Sequence, residues 1–192
     1  MSDNSPRLWC IRWALLVAGL LASAPSPASA QPAASWPWGW SGNPADLHHL
    51  SFDDLDNLFH QATIHEMPHG WFPGTIIGFT NMPAPEFVKR MAGNHWKGKI
   101  FEPDGNFINQ WKNVQALHSS LKVGPSFLDG QPCFICEYPR STPLFGPVRD
   151  EYREIAPGLF LGRMYRRVPH VKFLGYNYLQ LSDCQGAFDE LP

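Results

Sequence analysis

The sequence lacks any apolar run long enough to cross a membrane as a helix. Trp13 to Ala22 (WALLVAGLLA) spans ten residues, well short of the roughly 20 that a span needs, and no other stretch is long enough. It also lacks a basic stripe. Its 15 lysines and arginines are mixed with 17 aspartates and glutamates, for a net charge of -2, so nucleic acid is not expected as a partner. No phosphate-cradling glycine loop and no G-x-S-x-G elbow occurs, which removes the local signatures of nucleotide binding and of α/β-hydrolase chemistry. There is no internal repeat. Cysteine is scarce, at four residues, too few for a disulfide-built scaffold.

What is present at the start of the chain is an export pattern. Arg7 and Arg12 precede the apolar run, Pro25 and Pro27 end it, and Ala28-Ser29-Ala30 is a small-x-small cleavage site. Residues 1–30 are therefore expected to be a signal peptide, cleaved between Ala30 and Gln31. The mature protein would then be periplasmic or secreted, without a membrane span. The alternative is an uncleaved N-terminal anchor. Cys10 precedes the apolar core, so it cannot become a lipidated cysteine after cleavage. Of the mature cysteines, Cys133 and Cys136 are three apart on an expected strand and so point to opposite faces. Either could bridge to Cys184 more easily than to the other. A structural role as buried thiols or one disulfide is expected, with redox or metal chemistry the alternative.

The mature chain has 162 residues by that reading, enough for one domain. Residues 31–50 read as an irregular leader, and residues 51–192 as a single barrel domain. Ser51 to Gln61 is expected to be a helix, capped by Ser51, with Asp53 and Asp54 in its first turn and Leu55, Leu58, Phe59 and Ala62 as its apolar stripe. Pro85 to Met91 reads as a second short helix, with Phe87, Val88 and Met91 as its apolar side. Strands are expected at Gly70–Thr80, His95–Glu102, Asn106–Trp111, His118–Val123, Pro132–Tyr138, Val148–Ile155, Leu159–Arg166 and Val171–Leu181. Asp104-Gly105, Asp129-Gly130 and Pro157-Gly158 supply turn signals between them. The fold class is mainly β: about eight strands in an antiparallel meander, closing into a barrel that hides its edges.

Several segments carry a resemblance. They are Gly70-Trp71-Phe72-Pro73-Gly74, Trp96-Lys97-Gly98-Lys99-Ile100-Phe101, Phe127-Leu128-Asp129-Gly130, Ile135-Cys136-Glu137-Tyr138, and Val148 to Glu154 running into Pro157 to Gly162. In this order, over roughly residues 50–167, the chain resembles uncharacterised bacterial proteins with a GXWXG motif and their lipocalin-like relatives. In the first segment the Trp follows the first Gly directly, and Phe72 occupies the usual Trp place. The resemblance implies a lipocalin-like barrel and brings no activity with it.

The densest charge lies in Arg149 to Glu154. On a strand, Arg149, Glu151 and Arg153 share one face and Asp150, Tyr152 and Glu154 the other. The first row either faces inward as a polar floor for a ligand or outward as a solvated face with cross-strand ion pairs. In the outward case Arg153→Ala should be nearly silent. Lys97 and Lys99 are expected on one face, opposite Trp96 and Gly98, as cross-strand partners of that acidic strand in the same sheet. A buried lysine could instead serve as a general base or Schiff-base group. His48, His49, His60, His65 and His69 cluster early, and His65 to His69 spells HEMPH. Pro68 and Gly70 make the helix of a zinc site unlike this segment, so no metal and no cofactor is expected.

The expected function is an exported binding protein whose apolar barrel cavity, with a charged polar floor, takes a small, largely apolar molecule. The candidate ligand-binding set is Trp71, Trp96, Lys97, Lys99, Tyr138, Arg149, Glu151 and Arg153. The alternatives are an enzyme doing acid-base chemistry in the same cavity and a structural envelope protein without a ligand. Catalytic residues and oligomeric state are not legible.

Overall fold

A computed structural model describes residues 40–142 and 145–181. The expected signal segment with its cleavage site, Cys10 and Cys184 lie outside the described residues.

Eight antiparallel strands, each hydrogen-bonded to the next and the last to the first, form one closed barrel. They are β1 (Gly70–Phe79), β2 (Trp96–Phe101), β3 (Asn106–Trp111), β4 (Val114–Pro125), β5 (Pro132–Glu137), β6 (Val148–Ala156), β7 (Leu159–Arg166) and β8 (Lys172–Gln180). The expected meander is therefore present, and closure leaves no unpaired edge. Among the described residues two α-helices accompany it: α1 (Phe52–Gln61) before β1, and α2 (Pro85–His95) between β1 and β2. No helix among the described residues is long and apolar enough to cross a membrane.

Period-two alternation sorts the side chains into two cores. One fills part of the lumen and includes Phe72, Phe101, Phe107, Phe134, Tyr152 and Phe160. The other lies on the outer wall beneath α1 and includes Leu55, Leu58, Phe59, Cys133, Ile155 and Tyr176. Cys133 and Cys136 thus fall in different cores, as residues three apart on a strand should.

α1 forms where its signals place it. The Ser51 hydroxyl accepts from the Asp54 backbone N–H at 3.1 Å, and the Asp54 carboxylate accepts from the Ser51 N–H at 3.3 Å, closing a capping box. Leu55, Leu58 and Phe59 are buried, each worth roughly 1.5–3 kcal/mol relative to exposure. Part of the segment read as leader belongs to this packing: Pro44–His49 is a short 3-10 helix, and Leu47 and Trp40 are buried with α1. α2 runs four residues past its expected end and takes His95 from the expected strand, yet buries none of its residues. The HEMPH segment is not helical. Just before it, Thr63 forms an isolated bridge with Glu154.

One irregularity decides what enters the lumen. Trp96 pairs with Trp111 and Gly98 with Gln110, so Lys97 is an extra residue in β2. Such a bulge shifts the side-chain phase of everything after it. Trp96 and Lys99 are both buried, while Lys97 is exposed, which overturns the expectation that the two lysines share a face opposite Trp96. Gly98 makes the bulge possible. It has φ 137°, and a Cβ there would lie 2.1 Å from the Phe72 carbonyl oxygen. Gly98→Ala is expected to destabilise the fold by at least about 1–3 kcal/mol. A urea-unfolding midpoint equal to wild type would show that β1 and β2 can part without cost.

Candidate functional site

In an up-and-down barrel the odd connections share one end. Here those are the α2 segment, the β3–β4 turn, the β5–β6 connection and the β7–β8 turn. At the opposite end five phenylalanines form a continuous chain across the lumen. Phe107 meets Phe101 at 6.2 Å, Phe101 meets Phe72 at 5.4 Å, Phe72 meets Phe160 at 5.5 Å, and Phe160 meets Phe134 at 6.1 Å between ring centroids. The barrel is therefore packed at that end. At the other it opens into a cavity of about 1330 Å³ whose walls include Ile76, Val88, Met91, Trp111, Leu117 and Phe145.

Where the cavity meets the packed half, a polar cluster faces it. Lys99, on β2, is 1% exposed. Its ammonium donates to Asn109 Oδ1 at 3.0 Å and to the Tyr138 hydroxyl at 2.6 Å, and lies 3.1 Å from Asp150 Oδ2. Those three partners use its three donors. The Tyr138 hydroxyl donates to Asp150 at 2.9 Å, and the Trp96 indole N–H to Asn109 at 3.0 Å. The ammonium also sits 4.5 Å from the Phe107 ring centroid and 5.1 Å from that of Tyr138, within cation–π range. Burial, with the Asp150 charge behind it, pushes the Tyr138 phenol well above its ordinary value. The phenol therefore stays protonated and acts as a donor rather than a base.

Two further buried polar side chains lie beside this cluster: Asn177, on the cavity wall, and Tyr152 are at most 2% exposed, and their polar ends meet each other.

Of the candidate set, the structure brings Trp96, Lys99 and Tyr138 together on the cavity wall. Trp71 is half-buried on β1, one residue out of phase with Phe72, and Lys97 is exposed. The row Arg149, Glu151, Arg153 points away from the lumen. The cavity side of β6 carries Val148 and Asp150 instead. Nor is the row solvated, since all three residues are at most 7% exposed. Glu151 pairs with Arg149 at 2.7 Å and accepts from the Ser126 hydroxyl at 2.6 Å and the Phe127 N–H at 3.0 Å. Arg153 holds Asp129. The three residues pin the β4–β5 turn to the outer wall.

The expected pairing of the Lys99 strand with the acidic strand is also corrected. β2 and β6 share the closed sheet but are not neighbours. Lys99 and Asp150 meet through the lumen, which parity along each strand alone cannot reveal. Asn109 and Asn177 were missed as site residues. Their signal was an inward-phased polar residue in an otherwise aromatic strand. Neither cysteine among the described residues is set up as a reactive thiolate: burial pushes the Cys133 thiol up to about 12 and Cys136 higher still. No group of three potential metal ligands occurs among the described residues.

No family model and no curated protein matches this chain. Among solved structures it is similar to a protein from Thermomonospora curvata, at 14% identity and a TM-score of 0.49, over 69% of this chain and 88% of that one. At that distance neither residue roles nor function are carried across.

Proposed function

We propose that this barrel binds a small, largely apolar molecule, whose body lies against the cavity wall and whose polar end meets the Lys99–Tyr138–Asp150 cluster. The observation that supports this reading is the cavity itself: apolar walls ending on a few convergent polar groups, as ligand pockets are built. In this reading the barrel is lipocalin-like in use. The floor carries one positive and one negative charge already paired, so the buried end of the ligand is neutral. A hydroxyl or an amide suits that neutral end. Trp96, Lys99 and Tyr138 are the ligand-binding members of the expected set.

Purified protein extracted with organic solvent should release an apolar compound detectable by mass spectrometry, and it should bind an environment-sensitive apolar fluorophore. Met164→Trp, which narrows the cavity, should weaken fluorophore binding while leaving circular dichroism unchanged. Empty extracts together with no fluorophore binding would refute the proposal. A second reading, an enzyme, is favoured by the burial of both Asp150 and Lys99 in the cavity, where either could move a proton on a bound molecule. It requires the extracted compound to be chemically changed by wild-type protein and left intact by Asp150→Asn.

A further inference from the structure

Charge is segregated along the barrel axis although the whole chain is nearly balanced. The segments that ring the open end (80–95, 111–114, 137–142, 145–147 and 166–172) carry Lys89 and Arg90 on α2, then Lys112, Arg140, Arg166 and Lys172, with Arg167 paired to Glu137 and Glu86 as the other acid. The far end is the reverse. Residues 62–69 and the turns 102–105, 126–131 and 156–158 contain no lysine or arginine, but hold Glu66, Glu102, Asp104 and Asp129. The open end is also where apolar side chains stand out into solvent. Phe87 (55% exposed) and Met91 (42%) come from α2, Val114 (56%) from the β3–β4 turn, and Val168 (59%) and Val171 (54%) from the β7–β8 turn.

We propose that the open end of the barrel docks on the surface of a membrane containing anionic phospholipid. Apolar side chains would enter the headgroup boundary while the surrounding cations meet lipid phosphates. Charge complementarity carries this assignment. An anionic surface attracts the cationic rim and repels the acidic far end, so the field alone orients the cavity mouth toward the bilayer. Each lysine or arginine near such a surface contributes roughly 1 kcal/mol, and interleaved apolar residues add burial on insertion. A lipid surface suits these residues better than a folded acidic partner. They project from three separate connections around an opening, and a bilayer requires no matching relief. This docking stands independently of the ligand proposed above, since it uses the rim and not the floor.

Cosedimentation of residues 31–192 with lipid vesicles tests it. Binding is expected to vesicles of phosphatidylcholine mixed with phosphatidylglycerol, to weaken steeply with added salt, and to be small with phosphatidylcholine alone. Arg166→Gln with Lys172→Gln should weaken binding about 25-fold, roughly fivefold per cation removed. Phe87→Ser with Met91→Ser should weaken it even at low salt. Lys122→Gln, exposed toward the far end of β4, should bind as wild type, and melting curves should confirm that all variants fold. Equal binding to both vesicle types would overturn the proposal. So would indifference to the rim substitutions, or binding to a DNA duplex without binding to vesicles.

Discussion

Replacing Lys99 by methionine is expected to lower the unfolding free energy by about 3–5 kcal/mol, the usual cost of removing one member of a buried ion pair. Methionine fills much the same volume, so the loss is electrostatic rather than a cavity effect. It leaves the Asp150 carboxylate, 7% exposed at its side chain, with the Tyr138 hydroxyl as its remaining close partner. Asn109 Oδ1 keeps the Trp96 indole, so that end of the cluster suffers less. The double variant Lys99→Met with Asp150→Leu should recover most of the loss, because removing both charges also removes the need to desolvate them. Urea unfolding of the wild type, the two single variants and the double variant gives the coupling directly. Additive losses in the double variant, or a single-variant effect within about 1 kcal/mol, would mean that water or a rearranged floor compensates Asp150.

Strand order was legible because turns and alternation are local. Gly105, Gly130 and Gly158 follow Asp, Asp and Pro as the turn signals require, and all three have positive φ, at 82°, 73° and 71°. What enters the lumen was legible only as far as parity holds. One residue added to β2 turned Lys99 inward, and nothing in Trp96-Lys97-Gly98 announces a bulge except the glycine. The motif glycines have physical reasons visible only in three dimensions. A Cβ at Gly74 would lie 2.3 Å from the Trp96 ring, so Gly74 makes room for the indole that anchors Asn109. Charge segregation escaped the sequence for a related reason. The cations of the open end come from four connections, and none of these is a basic run by itself.

The row Arg149, Glu151, Arg153 shows a different limit. Strand alternation by itself offers only lumen or solvent, but a barrel wall covered by a helix and a turn offers a third environment. Arg153 is 1% exposed outside the lumen. Its guanidinium grips both oxygens of Asp129 at 2.7 and 2.8 Å and donates to the carbonyls of Phe59, Gln131 and Pro132, each at 3.0 Å. It thereby ties α1, the β4–β5 turn and β6 together. Arg153→Ala is accordingly expected to cost about 3–5 kcal/mol of stability, while fluorophore binding to the folded fraction stays unchanged. That outcome belongs to neither the inward nor the solvated reading of the row. Arg153→Lys should recover little, because an ammonium cannot reproduce the planar fork.

The pH dependence supplies an independent check on the same contact. Hydrogen bonds from Arg153, with further ones from the Gln131 N–H and His60, hold the Asp129 carboxyl well below the usual carboxylate range. Its folded value lies below its unfolded one, so the stability it contributes is present above about pH 4 and is lost as the pH falls below that. Wild type should therefore lose stability on acidification from pH 5 to pH 3, and Asp129→Asn should lose less over the same interval. Urea midpoints measured across that range decide the matter. Parallel curves for the two proteins would show that the Arg153–Asp129 contact does not hold the turn in solution.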